Sequence, residues 1–206
     1  MLVWINGPFG GGKTVTAHEL RRRLPGSVIC DPEHLGFGMH RMLPRALRGD
    51  FQDLPAWRHG VVETLDLAAR HHPGTVIVPM TVVEPTYFRE TVGALRERGH
   101  VVRHFALLAR PGTVRRRLRE REVVHLARRA TGQVGESFAH RRLDHCLESL
   151  AGEEFAEHLW TDRLPVPRVA ERIASRAGLT LLPNRDGPVA ERLRRAWVGV
   201  RHIRFD

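Results

Sequence analysis

Gly7-Pro8-Phe9-Gly10-Gly11-Gly12-Lys13-Thr14 carries the residue types and the spacing of a phosphate cradle, G-x-x-x-x-G-K-S/T. Its glycines let backbone N–H groups curl round an anion, and a helix N-terminus behind them adds its partial positive charge. We expect Lys13 to reach the β- and γ-phosphates of a nucleoside triphosphate and the Thr14 hydroxyl to ligate Mg2+. The flanking sequence agrees. Leu2-Val3-Trp4-Ile5 is a continuous apolar run, as a parallel strand buried on both faces requires, and Val15, Leu20 and Leu24 are spaced for a helix. Strand, glycine loop and helix in that order are the setting that makes the motif a P-loop.

Composition supports Lys13 independently. The chain holds 33 Lys and Arg residues, and position 13 is its one lysine. A bias toward arginine has therefore spared a single site. A cradle needs a compact charge on a flexible stem, which a planar guanidinium fork does not supply. The net charge of +10 invites a nucleic-acid reading, and Arg115-Arg116-Arg117, Arg119 and Arg121 form a dense run. Against it, arginine is spread from Arg21 to Arg204, and the chain has one tyrosine and no RNA-binding signature. We do not expect nucleic acid as the main partner; the field would draw in nucleotides and other anions.

The elements that must position this loop follow from periodicity. Helices are expected over 13–24, over 34–47 with interruption, and over 56–71, 86–98, 111–124, 137–150 and 166–177. Strands are expected over 27–30, 75–80, 100–108 and 155–161, giving an α/β three-layer fold with a mainly parallel sheet. We read 1–206 as a single domain, with an acceptor-binding region at about 33–72, a lid at about 121–141 and a C-terminal extension at about 179–206. Two cysteines far apart, Cys30 and Cys146, make neither a disulfide framework nor a metal pattern. No stretch approaches the roughly 20 apolar residues of a membrane span and no signal peptide precedes the first strand, so a cytoplasmic location is expected.

In such sheets the ligand sits beyond the carboxyl ends of the strands. The candidates are then the P-loop, Asp31, Met80 and Thr81, Arg110, and Asp162-Arg163-Leu164. Asp31 could accept a proton from a substrate hydroxyl or hold the Mg2+ shell. It could equally cap a helix, since Asp before Pro32-Glu33 is a good cap sequence, and one residue can do both. Glu33 and His34 stand beside it as substrate contacts. Arg117 and Arg121 are four apart on one helix face and could neutralise charge developing in phosphoryl transfer. Arg128 and Arg129 behind them would belong to a cover over the phosphates. The third strand ends Val78-Pro79-Met80-Thr81, without the metal-holding Asp of many P-loop enzymes. That argues against a motor or switch ATPase and for a small kinase.

The order of these pieces resembles the nucleoside and nucleotide kinase branch of P-loop proteins, and more narrowly the TmrB-type tunicamycin-resistance proteins. The residues that carry the likeness are LVWINGPFGGGKT, DPEHLG at 31–36, VPMTVV with Pro79 to Val83, LLARPGTVRRRLRER and the WTDRLPVPRVAERIA segment. The resemblance implies a P-loop NTPase fold with a five-stranded parallel sheet of order 2-3-1-4-5, a substrate-covering region and an arginine-bearing lid. It implies ATP and Mg2+ as cofactors and a role in resisting tunicamycin, a uracil nucleoside antibiotic. By its motifs, Gly7 to Thr14 would hold ATP, Asp31 would sit by the acceptor hydroxyl, and Arg117 and Arg121 would flank the lid. Residues 162–165 would pass near adenine. Whether the drug is phosphorylated or only sequestered does not follow from these residues; a kinase geometry favours phosphorylation of a uridine-like nucleoside antibiotic or related nucleotide.

The acceptor pocket would draw on the segment between the second and third strands, where Phe37, Met39, Trp57 and His40 could stack on a base and Arg41 or Arg45 could meet phosphate or carbonyl groups. Helical spacing makes core packing the competing role for each. In the tail, Val189, Leu193, Trp197, Val200 and Ile203 recur among Arg192, Arg194, Arg195, Arg201 and Arg204. Such a basic amphipathic helix can make weak peripheral contact with an anionic membrane, although docking on its own domain is the expected role.

Overall fold

The computed structural model describes residues 1–126, 143–185 and 187. The proposed cover with Arg128 and Arg129, most of the lid, the first part of the expected 137–150 helix and the basic tail helix lie outside the described residues. The chain begins with β1 (Leu2–Asn6), whose side chains are buried on both faces. Leu2 and Trp4 join one core cluster and Val3 and Ile5 the other, which is the alternation that a central strand imposes. Five parallel strands follow the order β2-β3-β1-β4-β5, with β2 (Val28–Ile29), β3 (Val76–Pro79), β4 (Val102–Leu108) and β5 (His158–Trp160).

Helix α1 (Lys13–Arg23) and α7 (Val166–Ala177) pack together on one face of the sheet. The other face is covered by α3 (Pro55–His71), by α4 (residues 85–97, with a π turn at Arg89–Gly93) and by α6 (Leu143–Leu150). Helix α2 (Glu33–Met42) packs on α3, and α5 (Pro111–Leu126) follows β4. Proline sits in the first turn of α3 and of α7, where its missing N–H costs nothing. Gly178 closes α7 at φ 71°, with the Leu179 N–H returning to the Ala174 carbonyl at 2.8 Å.

Several boundaries differ from the sequence reading. The second strand is a two-residue, half-buried edge rather than a buried one, since among the described residues β3 alone pairs with it. The expected 34–47 helix stops at Met42 because Pro44 cannot continue it, and two single-turn 3-10 segments follow at Arg45–Leu47 and Phe51–Asp53. Phe155 is not in the fifth strand. It lies in a 3-10 turn, its ring 5.0 Å from Phe88 in the core.

A histidine ring packs against the aromatic side chains of that core. His104 on β4 is 3 % exposed, Nδ1 donates to the Ala156 carbonyl at 3.3 Å, and Nε2 is buried without a partner. Burial pushes its imidazole down to about 4, against the opposing pull of the Ala156 bond. The folded protein thus keeps His104 neutral where the unfolded chain takes up a proton, below about pH 6.5. Its contribution is complete above that pH and is lost as pH falls toward 4, at no more than about 1.4 kcal/mol per pH unit and about 3 kcal/mol in all. Urea denaturation between pH 7 and 4.5 should show stability falling more steeply in the natural protein than in His104→Phe, whose ring suits the neighbouring Phe88 and Phe155, with the difference being the His104 share.

Candidate nucleotide and acceptor site

The loop between β1 and α1 is clamped by backbone geometry before any side chain acts. Gly10 and Gly12 have φ of 74° and 93°, in the left-handed region. A Cβ on Gly10 would stand 2.9 Å from Leu118 of α5, so the loop lies against that helix with no room to spare. Val114, Leu118 and Leu143 form a small core there with Phe9 packed against it. Gly12 leads straight into α1, presenting the first-turn N–H groups to the loop.

Lys13 is 8 % exposed, and its ammonium donates to the carbonyls of Gly7 at 3.0 Å and Pro8 at 3.2 Å, 5.6 Å from the centre of the Phe9 ring. Thr14, next along α1, is half-buried. Cys146 of α6 is buried close enough to feel the Lys13 charge; burial pushes its thiol up to about 11, with Lys13 working the other way. It is a packing residue rather than a reactive thiol. Left-handed glycines, a helix N-terminus and a single sheltered ammonium are what a nucleoside triphosphate with Mg2+ needs, so the residues fit that cofactor. Gly7 to Thr14 would hold its phosphates, and Thr14 its metal.

Asn6, which the sequence reading passed over, ties this loop to the next strand exit. It is fully buried. Its Oδ1 accepts the N–H of Gly7 at 2.8 Å and of Val82 at 3.0 Å, and its Nδ2 donates to the Val82 carbonyl at 2.8 Å. A polar residue closing the run Leu2–Ile5 was the signal available. The two substrate candidates after β3 are placed differently from each other. Met80 is 1 % exposed and belongs to the core, whereas the Thr81 hydroxyl donates to the Gly7 carbonyl at 2.8 Å.

Asp31 stands at the exit of β2, two strands from β1, hence about 10 Å across the sheet. Its Oδ1 accepts the Glu33 N–H at 2.9 Å, so it fastens the start of α2. Glu33 is half-buried and His34 exposed in the first turn of that helix. Phe37 meets Phe51 edge-on at 6.0 Å, and Phe51 also packs against His40 and Trp57. Phe51, which the sequence reading left in a loop between two expected helices, lies so close over α2 that a Cβ on Gly36 would fall 2.5 Å from its ring. Trp57 donates from its indole N–H to the Pro32 carbonyl at 3.1 Å, which anchors α2 to α3.

Arg117 reaches the exit of β5, donating to the Thr161 hydroxyl at 3.1 Å and its carbonyl at 2.8 Å. Arg121 lies in α5, and its side chain is outside the described residues. Asp162 accepts the Arg110 N–H at 3.0 Å and the Thr113 hydroxyl at 2.8 Å, tying the start of α5 to the exit of β5. Although desolvation opposes it, those bonds and the Arg110 and Arg117 charges hold its carboxyl below the usual range. Arg110, Thr113, Arg116, Trp160, Asp162 and Leu164 help line an open groove of about 710 Å³ at this junction. The structure thus gathers the P-loop, Asn6 and Thr81 into one cluster, and places Asp31 with its aromatic neighbours on one flank and Arg117 with the 162–164 turn on the other. Among the described residues no group of three or more His, Cys, Asp or Glu side chains could hold a metal by itself, and no helix is long and apolar enough to cross a membrane.

Comparison with known proteins agrees with this geometry. A family model described as an AAA domain matches residues 2–143. The tunicamycin resistance protein of Deinococcus radiodurans is 35 % identical, superposes with a TM-score of 0.73, and the match covers 89 % of this chain and 99 % of that one. A sugar kinase from Janibacter sp. (21 % identity, TM-score 0.58, 87 % and 95 % covered) and shikimate kinase from Bacteroides thetaiotaomicron (15 %, 0.57, 87 % and 99 %) share the fold. No curated protein sequence matches the chain. A parallel sheet of order 2-3-1-4-5 with its glycine cradle at the exit of β1, taken with these likenesses, places the chain in the AAA domain family and, within the P-loop kinase-like superfamily, among the TmrB-type tunicamycin-resistance proteins.

Proposed function

We propose that this protein binds ATP with Mg2+ and confers tunicamycin resistance by transferring the γ-phosphoryl group to a uridine-like nucleoside antibiotic or a related nucleotide. The observation that carries this reading is the pairing of a clamped ammonium, Lys13, with a carboxylate, Asp31, two strands away at the exit of β2. Phosphoryl transfer asks little covalent chemistry of a protein; it asks for a donor cradle, charge stabilisation and a group that orients the acceptor hydroxyl. Gly7 to Thr14 supply the first. Lys13 supplies the second, assisted by Arg117 and Arg121 from α5. Asp31 takes the acceptor proton as the oxygen attacks. Glu33, His34 and Phe37 line the acceptor side. The likeness to the Deinococcus radiodurans tunicamycin resistance protein supports the choice of acceptor.

Incubating the pure protein with ATP, Mg2+ and tunicamycin or simple uridine compounds should give a product heavier by one phosphoryl group, read by mass spectrometry. No such product from any of them would remove the kinase reading. Sequestration of the drug without chemistry is favoured by one observation, that Asp31 already serves as a helix cap. It predicts saturable tunicamycin binding with ATP left intact.

A further inference from the structure

The two carbonyls that hold Lys13 each have a second donor. Pro8 O also accepts the Gly11 N–H at 2.9 Å, and Gly7 O also accepts the Thr81 hydroxyl at 2.8 Å. The peptide at Gly7 is held at both ends, its N–H by Asn6 and its carbonyl by Thr81, so this unit keeps its place whatever Lys13 does. Lys13 must turn from these carbonyls toward the β- and γ-phosphates when a triphosphate enters. A buried carbonyl deserted by its donor is costly, and here neither would be deserted.

We propose that Thr81 is a positioning residue for the nucleotide: by holding the Gly7 carbonyl it releases Lys13 to the β- and γ-phosphates. Its role is then on the donor side of the site, through Gly7 and Lys13, although it stands at the exit of β3. Thr81 is 4 % exposed, which suits an internal hydrogen bond better than contact with a diffusing ligand. The inference rests on the ATP reading above, and its test measures binding rather than transfer.

Calorimetric titration of the full chain with ATP–Mg2+ and separately with AMP distinguishes this from a merely structural role. Thr81→Val removes the hydroxyl and keeps the shape. It should raise the Kd for ATP about tenfold, since Lys13 must then leave a carbonyl with no other donor. AMP has no β- or γ-phosphate to draw Lys13 away, so its Kd should change less than twofold. Thr81→Ser should restore ATP affinity, and Thr81→Ala repeats the deletion should the valine protein fail to fold. Equal weakening of ATP and AMP, an unchanged ATP Kd in the valine and alanine variants, or no rescue by serine would overturn the proposal. A natural protein that binds no ATP would overturn the ATP reading and this inference with it.

Discussion

Lys13→Arg, a change toward the residue that supplies every other permanent cation in this chain, should abolish ATP binding. Lys13 is 8 % exposed, and its ammonium fits between two carbonyls at 3.0 and 3.2 Å, with the Phe9 ring nearby. A guanidinium is broader, planar and fixed in its donor directions, so it cannot enter a space shaped for a point charge. We expect the Kd for ATP to rise at least about a hundredfold, and any phosphoryl transfer to fall by about three orders of magnitude, comparable to losing a key transition-state donor. Thermal unfolding checks this directly. ATP at about 100 times the natural protein's Kd should stabilise the natural protein by about 2.7 kcal/mol and the variant by no more than about 0.4 kcal/mol. The variant's own Tm without nucleotide should stay close to the parent's, because Phe9, Val114 and Leu118 still pack. Binding of ATP within a few-fold of the natural affinity would show that the lysine is a compositional accident.

The cradle was legible because its signals are local. Glycine spacing, a lysine next to threonine and an apolar run before them specify the loop without reference to distant residues, and the unbroken apolar run Leu2–Ile5 marks β1 as a strand buried on both faces. The order of the strands came from the likeness of motifs, for periodicity says which segments are strands and not which are neighbours. What could not be read depends on contacts between remote segments. Asn6 meets Val82 across 76 positions, and Arg117 meets Thr161 across 44. Phe51 looked like part of a loop because its packing against Gly36 and Trp57 exists only after α2 and α3 come together. Asp162 shows the same limit in reverse. Its place after the fifth strand was evident, yet its hydrogen bonds to the Arg110 N–H and the Thr113 hydroxyl make it the tie between β5 and the start of α5.

Asp31→Asn should separate chemistry from architecture, because asparagine can keep one role of Asp31 and not the other. The oxygen that accepts the Glu33 N–H at 2.9 Å survives in the amide, and Asn ranks with Asp as a helix cap. Helix α2, the Trp57 bond to Pro32 and the packing of Phe51 on Gly36 should therefore persist, with stability changed by less than about 1 kcal/mol. The amide cannot take a proton from an acceptor hydroxyl. If Asp31 is the general base, kcat should fall by about 10²- to 10⁴-fold, with the Kd for ATP unchanged because the cradle lies two strands away. Asp31→Ala removes both roles and should lower kcat and Tm together. Protection of cells against tunicamycin gives the second readout. A variant that loses transfer and still protects would mean the drug is held rather than modified, and the carboxylate is there for α2. Loss of transfer and protection together, with the fold and ATP affinity intact, would assign the carboxylate to the reaction.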